Sequence, residues 1–190
     1  MIRYHKCSNV DSNKIYEAFS VGFSDYIVKM EKSKEEFFKI FFGPEGNDLN
    51  FSFVALEEDK PIGLILGGIK NYEGIKTIRC GGLCVHPDYR GKGISHELFR
   101  LHKEVAIEND CKQMFLEVIA ENHRAIKFYL NKGYEKVYEL RYFTCKDLSK
   151  IGYKINDDIS IKEIGSDNIL NLDLRNIHIN WQNDFDYMKN

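Results

Sequence analysis

The stretch Leu83-Cys84-Val85-His86-Pro87-Asp88-Tyr89-Arg90-Gly91-Lys92-Gly93-Ile94-Ser95 decides how this chain is read. An apolar run that reads as a strand ends at Val85, and Pro87 breaks it. Arg90-Gly91-Lys92-Gly93 then leads into a helical pattern. A strand, a glycine-containing turn and a helix start leave free backbone N–H groups at the positive end of a helix dipole, which suits a phosphate. Gly91 and Gly93 let that backbone approach an anion closely.

Upstream, residues 2–7 read as a short strand and Asp11/Ser12 as a helix cap. Ile15, Phe19, Gly22, Phe23, Tyr26 and Ile27 recur at helical spacing, predicting a helix over 13–30. Ser33 opens a second helix, 34–42, with Phe37, Phe38, Phe41 and Phe42 clustered on one side. Runs 51–57 and 61–69 read as a hairpin, and a third strand, 75–85, follows the Asn71–Gly74 turn. Downstream come a helix over 91–108, a strand over 113–119, a helix over 122–131 ending at Gly133, and a last strand over 134–144. Hairpin-linked strands followed by alternating units predict an α/β fold, a mixed sheet with helices on both faces.

The chain has 190 residues, 43% hydrophobic and 29% charged, enough for one well-buried domain with an appendage. Its net charge of −2 and the lack of a long basic block argue against nucleic acid as the main partner. Five scattered cysteines and six dispersed histidines show no metal-ligand spacing, so no metal is expected and the cysteines read as reduced thiols of a cytoplasmic protein. No stretch approaches ~18 apolar residues, and no membrane partner is expected.

Arg90-Gly91-Lys92-Gly93-Ile94-Ser95 resembles the acyl-CoA signature of the GNAT acyltransferase superfamily, with Ser95 standing where that family favours Gly or Ala. Roughly thirty residues later, Leu116-Glu117-Val118, Asn122, Ala125-Ile126-Lys127-Phe128-Tyr129 and Gly133-Tyr134 resemble the family's other signature. Either alone is weak; two at this separation, inside this element order, are strong. The resemblance implies acetyl-CoA as donor, its pyrophosphate on the backbone of Arg90, Gly91, Lys92, Gly93, Ile94 and Ser95. It implies that strand 75–85 splays from strand 113–119, leaving backbone near Leu83 and Val85 to pair with the pantetheine arm. Asn122 would cap the following helix and help hold that arm, Tyr129 would be the acid for the departing thiolate, and Glu117 the base. The activity implied is N-acetylation of a primary amine by direct attack in a ternary complex. Two alternatives stay open: a peptide N-terminus as acceptor, and an acyl-CoA sensor without turnover.

The expected domain spans 1–145, and residues 146–190 form a C-terminal extension. Ile159, Ile161 and Ile164 alternate as in a strand, and Ser166-Asp167 precedes a helical pattern through Leu170, Leu172 and Leu174. Such a segment is too short for its own core. It reads as a truncated second repeat or as an arm pairing a sheet edge, with a homodimer as one outcome. Trp181, the lone tryptophan, reads as its anchor.

Overall fold

A computed structural model describes residues 1–141, 145–147, 149, 152 and 179–183. Five strands, β1 (Ile2–Lys6), β2 (Asp48–Glu57), β3 (Lys60–Tyr72), β4 (Ile75–Val85) and β5 (Gln113–Leu116), lie in sequence order across one sheet. The first four are antiparallel, and β5 runs parallel to β4. Four helices accompany them: α1 (Ser12–Gly22), α2 (Lys34–Phe41), α3 (Ile94–Glu108) and α4 (His123–Leu130).

Local chemistry explains most boundaries. The Asp11 carboxylate accepts from Asn13 N–H ahead of α1, and Ser33 with Glu36 closes a capping box on α2. Glu73 (φ 51°) and Gly74 (φ 79°) supply two consecutive left-handed residues for the two-residue β3–β4 turn. Side chains alternate across the sheet, building a core on each face. Phe19, Phe37, Phe41, Val54, Leu64 and Leu66 pack under α1 and α2 on one side. Phe53, Ile65, Ile78, Cys80, Ile94 and Leu98 pack under α3 on the other. The mixed, helix-covered sheet is the one expected.

Two expectations need correction. The first helix stops at Gly22 rather than near residue 30. Ser24 Oγ–H donates to the Val21 carbonyl (2.8 Å), and Asp25 is drawn off the helical path to Arg90. Residues 134–141 form no strand, and 142–144 lie outside the described residues. A strand there needs the free edge of β5, which is four residues long and ends at Leu116. The patterns at 159–164 and 166–174 also fall outside the described residues.

β4 and β5 pair only from Thr77↔Gln113 to Cys80↔Leu116. Just beyond, the β3–β4 register slips: Gly67 faces Cys80 while Leu66 faces Gly82, so Gly81 is an extra residue, a β-bulge. A Cβ at Gly81 would stand 2.0 Å from Asn47 Oδ1, so glycine alone lets the bulge press against that side chain. The bulge bends β4 away, and its last residues diverge from the chain leaving β5. That divergence is the splay that the resemblance implied.

Candidate functional site

The splay opens a cleft of about 380 Å³. Leu83 and Val85 form its floor, and Gly91, Ile94 and Ser95 line one end at the start of α3. Asn122 and Tyr129 face it from α4, and Gly22 to Ile27 close it above. Arg124, also on the lining, adds positive charge to this wall.

At the α3 end the backbone has the geometry expected of an anion cradle, with one change. Gly91 (φ 77°) and Gly93 (φ 82°) are both left-handed, and Gly93 is the N-cap of α3. Among the described residues, no acceptor takes the N–H groups of Gly91, Lys92, Gly93, Ile94 or Ser95. Arg90 differs, because its N–H donates to the Pro87 carbonyl (3.3 Å). Its side chain is a brace. The guanidinium donates to both Asp25 oxygens (2.5 and 2.6 Å), to the Val85 carbonyl (3.2 Å) and to the Gly22 carbonyl (3.4 Å). Arg90 therefore ties the end of α1 to the end of β4, and holds the Asp25 carboxyl down to about 2. The Lys92 ammonium lies over the Tyr89 ring, 4.6 Å from its centroid, and takes no part in lining the cleft.

In an extended strand, alternate residues present their N–H and C=O to the same side. Val85 offers its carbonyl to Arg90, on the side away from β3, and Leu83 shares that side. These are the backbone groups the splay leaves without a β5 partner, beside the floor of the cleft. Asn122 caps α4 as expected, its Oδ1 accepting from Ala125 N–H (3.1 Å).

Tyr129 reaches from α4 to the point where β4 and β5 part. Its hydroxyl lies 3.8 Å from Cys80 Sγ, one position before the bulge. Burial, reinforced by the Cys80 thiol, raises the phenol well above its usual pKa. At neutral pH the group is O–H, a proton donor. Cys84 is pressed against α1, with Sγ 3.5 Å from the Ala18 carbonyl, and burial pushes the thiol up to about 12. That thiol is inert packing. His86 Nδ1 accepts from Asp88 N–H (3.2 Å), which fixes the turn before the cradle.

Glu117, the first residue after β5, does not line the cleft. Its Oε2 accepts from Arg79 Nη2 (3.0 Å) and from Gln182 Nε2 (2.9 Å). Arg79 Nη1 also donates to Glu45 Oε2 (2.9 Å), which Gln182 Nε2 reaches as well (3.0 Å). Two carboxylates, one guanidinium and one amide thus close a ring, and Glu117 Oε1 is left buried with no partner among the described residues. Asn47 Oδ1, against the bulge, is a second buried acceptor without a donor.

The structure thus gathers Leu83, Val85, Arg90, Gly91, Ile94, Ser95, Asn122 and Tyr129 around one cleft, leaves Lys92 and Gly93 off its lining, and sets Glu117 apart in the ring. Asp25, Arg79, Glu45, Cys80 and Gln182 escaped the sequence reading. Arg79 carried a signal: a charge in the middle of the strand run 75–85, where 5% exposure demands a buried partner. No group of three or more potential metal ligands occurs among the described residues, and none of their helices is long and apolar enough to cross a membrane.

A model of the acetyltransferase (GNAT) family matches residues 13–134, which include β2 to β5, the cradle and Tyr129. N-alpha-acetyltransferase 30 of Dictyostelium discoideum is 30% identical over 112 residues, covering 58% of this chain and 60% of that protein. The chain spans 51% to 60% of the length of the curated relatives it matches. Among solved structures, glucosamine-6-phosphate N-acetyltransferase of Arabidopsis thaliana superposes with a TM-score of 0.55 at 16% identity, covering 77% of this chain and 99% of that one. The NatC complex bound to Gag peptide and CoA gives 0.57 at 19% identity, with coverages of 72% and 86%. Likeness at those identities is one of fold. The family match over residues 13–134, on a splayed mixed sheet of this order, shows that the chain belongs to the acetyltransferase (GNAT) family.

Proposed function

We propose that the protein transfers an acetyl group from acetyl-CoA to a primary amine within one ternary complex. The observation that carries this reading is the buried Tyr129 hydroxyl, set in the same cleft as a cradle of open amides. The residues present fit the donor: five N–H groups from Gly91 to Ser95 suit its pyrophosphate, and the Leu83 backbone with the Val85 N–H, on the side without a β5 partner, suits the amides of its pantetheine arm. Acetyl-CoA supplies the thioester carbonyl and a thiolate leaving group.

The chain's own groups would handle the protons. Glu117 lies outside the cleft, so its Oε1 takes a proton from the attacking ammonium through water and leaves the nitrogen lone pair free. As the new C–N bond forms and the C–S bond breaks, Tyr129 O–H gives its proton to the sulfur. Its raised pKa keeps that proton in place until the thiolate appears.

The test is release of free thiol from acetyl-CoA across a panel of small primary amines and short peptides with free α-amines. Acceleration by an amine, lost in Tyr129→Phe, is the expected result. If no amine accelerates release while CoA still raises the melting temperature, the protein is a CoA-binding sensor. A peptide α-amine as acceptor is the second reading. It is favoured by the 30% identity to N-alpha-acetyltransferase 30, and the peptide arm of the panel tests it.

A further inference from the structure

The described part of the C-terminal segment, residues 179–183, packs on the face of the sheet opposite α3. Arg79 and Phe115 are register partners and share that face, whereas Ile78 and Cys80 point into the core under α3. Trp181 is fully buried there, stacked on Phe115 (centroids 6.5 Å apart, planes 17°) and tilted against Tyr72 (5.3 Å). Its indole N–H donates to the Glu45 carbonyl (3.2 Å), and the Lys70 ammonium donates to its carbonyl (2.8 Å). Tyr72 O–H donates to the Ile179 carbonyl (2.9 Å). A tryptophan held this way is an integral wall rather than a loose plug, and it fixes the position of the next residue, Gln182.

Gln182 completes the ring around Glu117. Its Nε2 donates to Oε2 of Glu117 and to Oε2 of Glu45, while Arg79 donates to the same two oxygens from the other side. Glu117 Oε2 therefore has two donors, and its carboxylate cannot rotate without breaking both bonds. We propose that Gln182 is a positioning residue for acetyl transfer: with Arg79 it pins Glu117 Oε2, leaving Oε1, the oxygen with no donor, to accept the proton. The inference rests on the reading of Glu117 as the base. It also gives the C-terminal segment a working role, since the amide at the end of the proton path comes from beyond the family-matched region.

The charged groups facing Glu117 are Arg79 from β4 and Glu45 from the turn after α2, with Lys70 of β3 behind the Trp181 ring (4.3 Å from its centroid). The full chain would be assayed as wild type, Gln182→Ala, Gln182→Glu and Glu117→Gln, with acetyl-CoA and the fastest amine of the panel above. In Gln182→Ala, kcat is expected to fall about tenfold, the loss of one hydrogen bond to a charged group, with KM for acetyl-CoA unchanged. Gln182→Glu keeps the side-chain length but loses the donated N–H, so its kcat should fall at least as far, and a loosened segment in Gln182→Ala would not disguise the result.

Glu117→Gln separates the two ideas. If it keeps the wild-type kcat, Glu117 is not the base, and both readings fall. If it lowers kcat while neither Gln182 variant does, the role of Gln182 alone is refuted. Faster turnover in Gln182→Ala also overturns the proposal, because the amide would then obstruct the acceptor.

Discussion

Lowering the pH from about 7.5 to about 4 is expected to remove roughly 3 kcal/mol of folding stability through one side chain, His102. The imidazole lies on α3 with no solvent exposure, its ring against Gly67 of β3, where an added Cβ would come within 3.1 Å. Neither ring nitrogen has a hydrogen-bond partner among the described residues. Burial penalises the imidazolium and lowers the pKa from 6.5 to about 4. The unfolded chain thus binds a proton near the ordinary histidine value, and the folded chain binds it only near the lower one. Between the two values the unfolded state carries more protons, so stability falls as pH falls. The contribution is complete above the unfolded value, lost progressively down to the folded one, and constant below it. A depression of about 2.5 units at about 1.36 kcal/mol per unit gives about 3.4 kcal/mol at the limit. Urea unfolding followed by Trp181 fluorescence across this range, for wild type and His102→Leu, measures it. The variant should lack this share of the acid loss, and near pH 7.5 should be at least as stable, since it leaves no buried nitrogen unsatisfied. Equal pH slopes in the two proteins would refute the reasoning.

Three further substitutions address the cleft. Tyr129→Phe should lower kcat by about 10²–10⁴ with CoA affinity and melting temperature little changed, because the hydroxyl's one described contact is the long one to Cys80; equal losses in turnover and CoA affinity would make Tyr129 a packing residue. Gly93→Val forces a β-branched residue to φ 82°, at about 1–2 kcal/mol, and puts a side chain into space the anion would use. Calorimetric CoA affinity should drop, and an unchanged affinity would remove the cradle assignment. Gly81→Ala sets a Cβ against Asn47 Oδ1, whose amide donates to the Phe41 carbonyl (2.7 Å). Displacing it should cost about 1–3 kcal/mol in a denaturant melt, and a wild-type midpoint would show that the bulge tolerates a side chain.

Much of the fold was legible because its signals are local. The capping box at Ser33 and Glu36, the left-handed turn before Ile75 and the left-handed Gly133 (φ 89°) each act within a few residues. The end of α1 was not legible, because the force that turns the chain there is an ion pair with Arg90, 65 residues away. Nor was the missing strand at 134–141: the alternation of Tyr138 and Leu140 with Glu139 and Arg141 was present, but pairing depends on how far β5 extends. The bulge had a sequence signal in Gly81-Gly82, since paired glycines inside a strand mark a backbone irregularity.

The same distinction separates the two halves of the site. A cradle for a pyrophosphate is made of backbone, so what it requires is a local order of φ angles and unfilled N–H groups. Gly91, Gly93 and the first turn of α3 encode that order within five residues. Side-chain identity matters little in such a cradle, so Ser95 is compatible with the proposed role and Arg90 is free to serve as a brace. The polar ring is made of side chains whose partners lie 34, 38, 65 and 137 positions apart. No spacing rule links such positions, so only the folded sheet brings them together. An amine acceptor recognised through that ring would therefore depend on packing far from the motif. Variants of Glu45, Asn47 or Gln182 should then alter which amine reacts while leaving the donor's affinity intact.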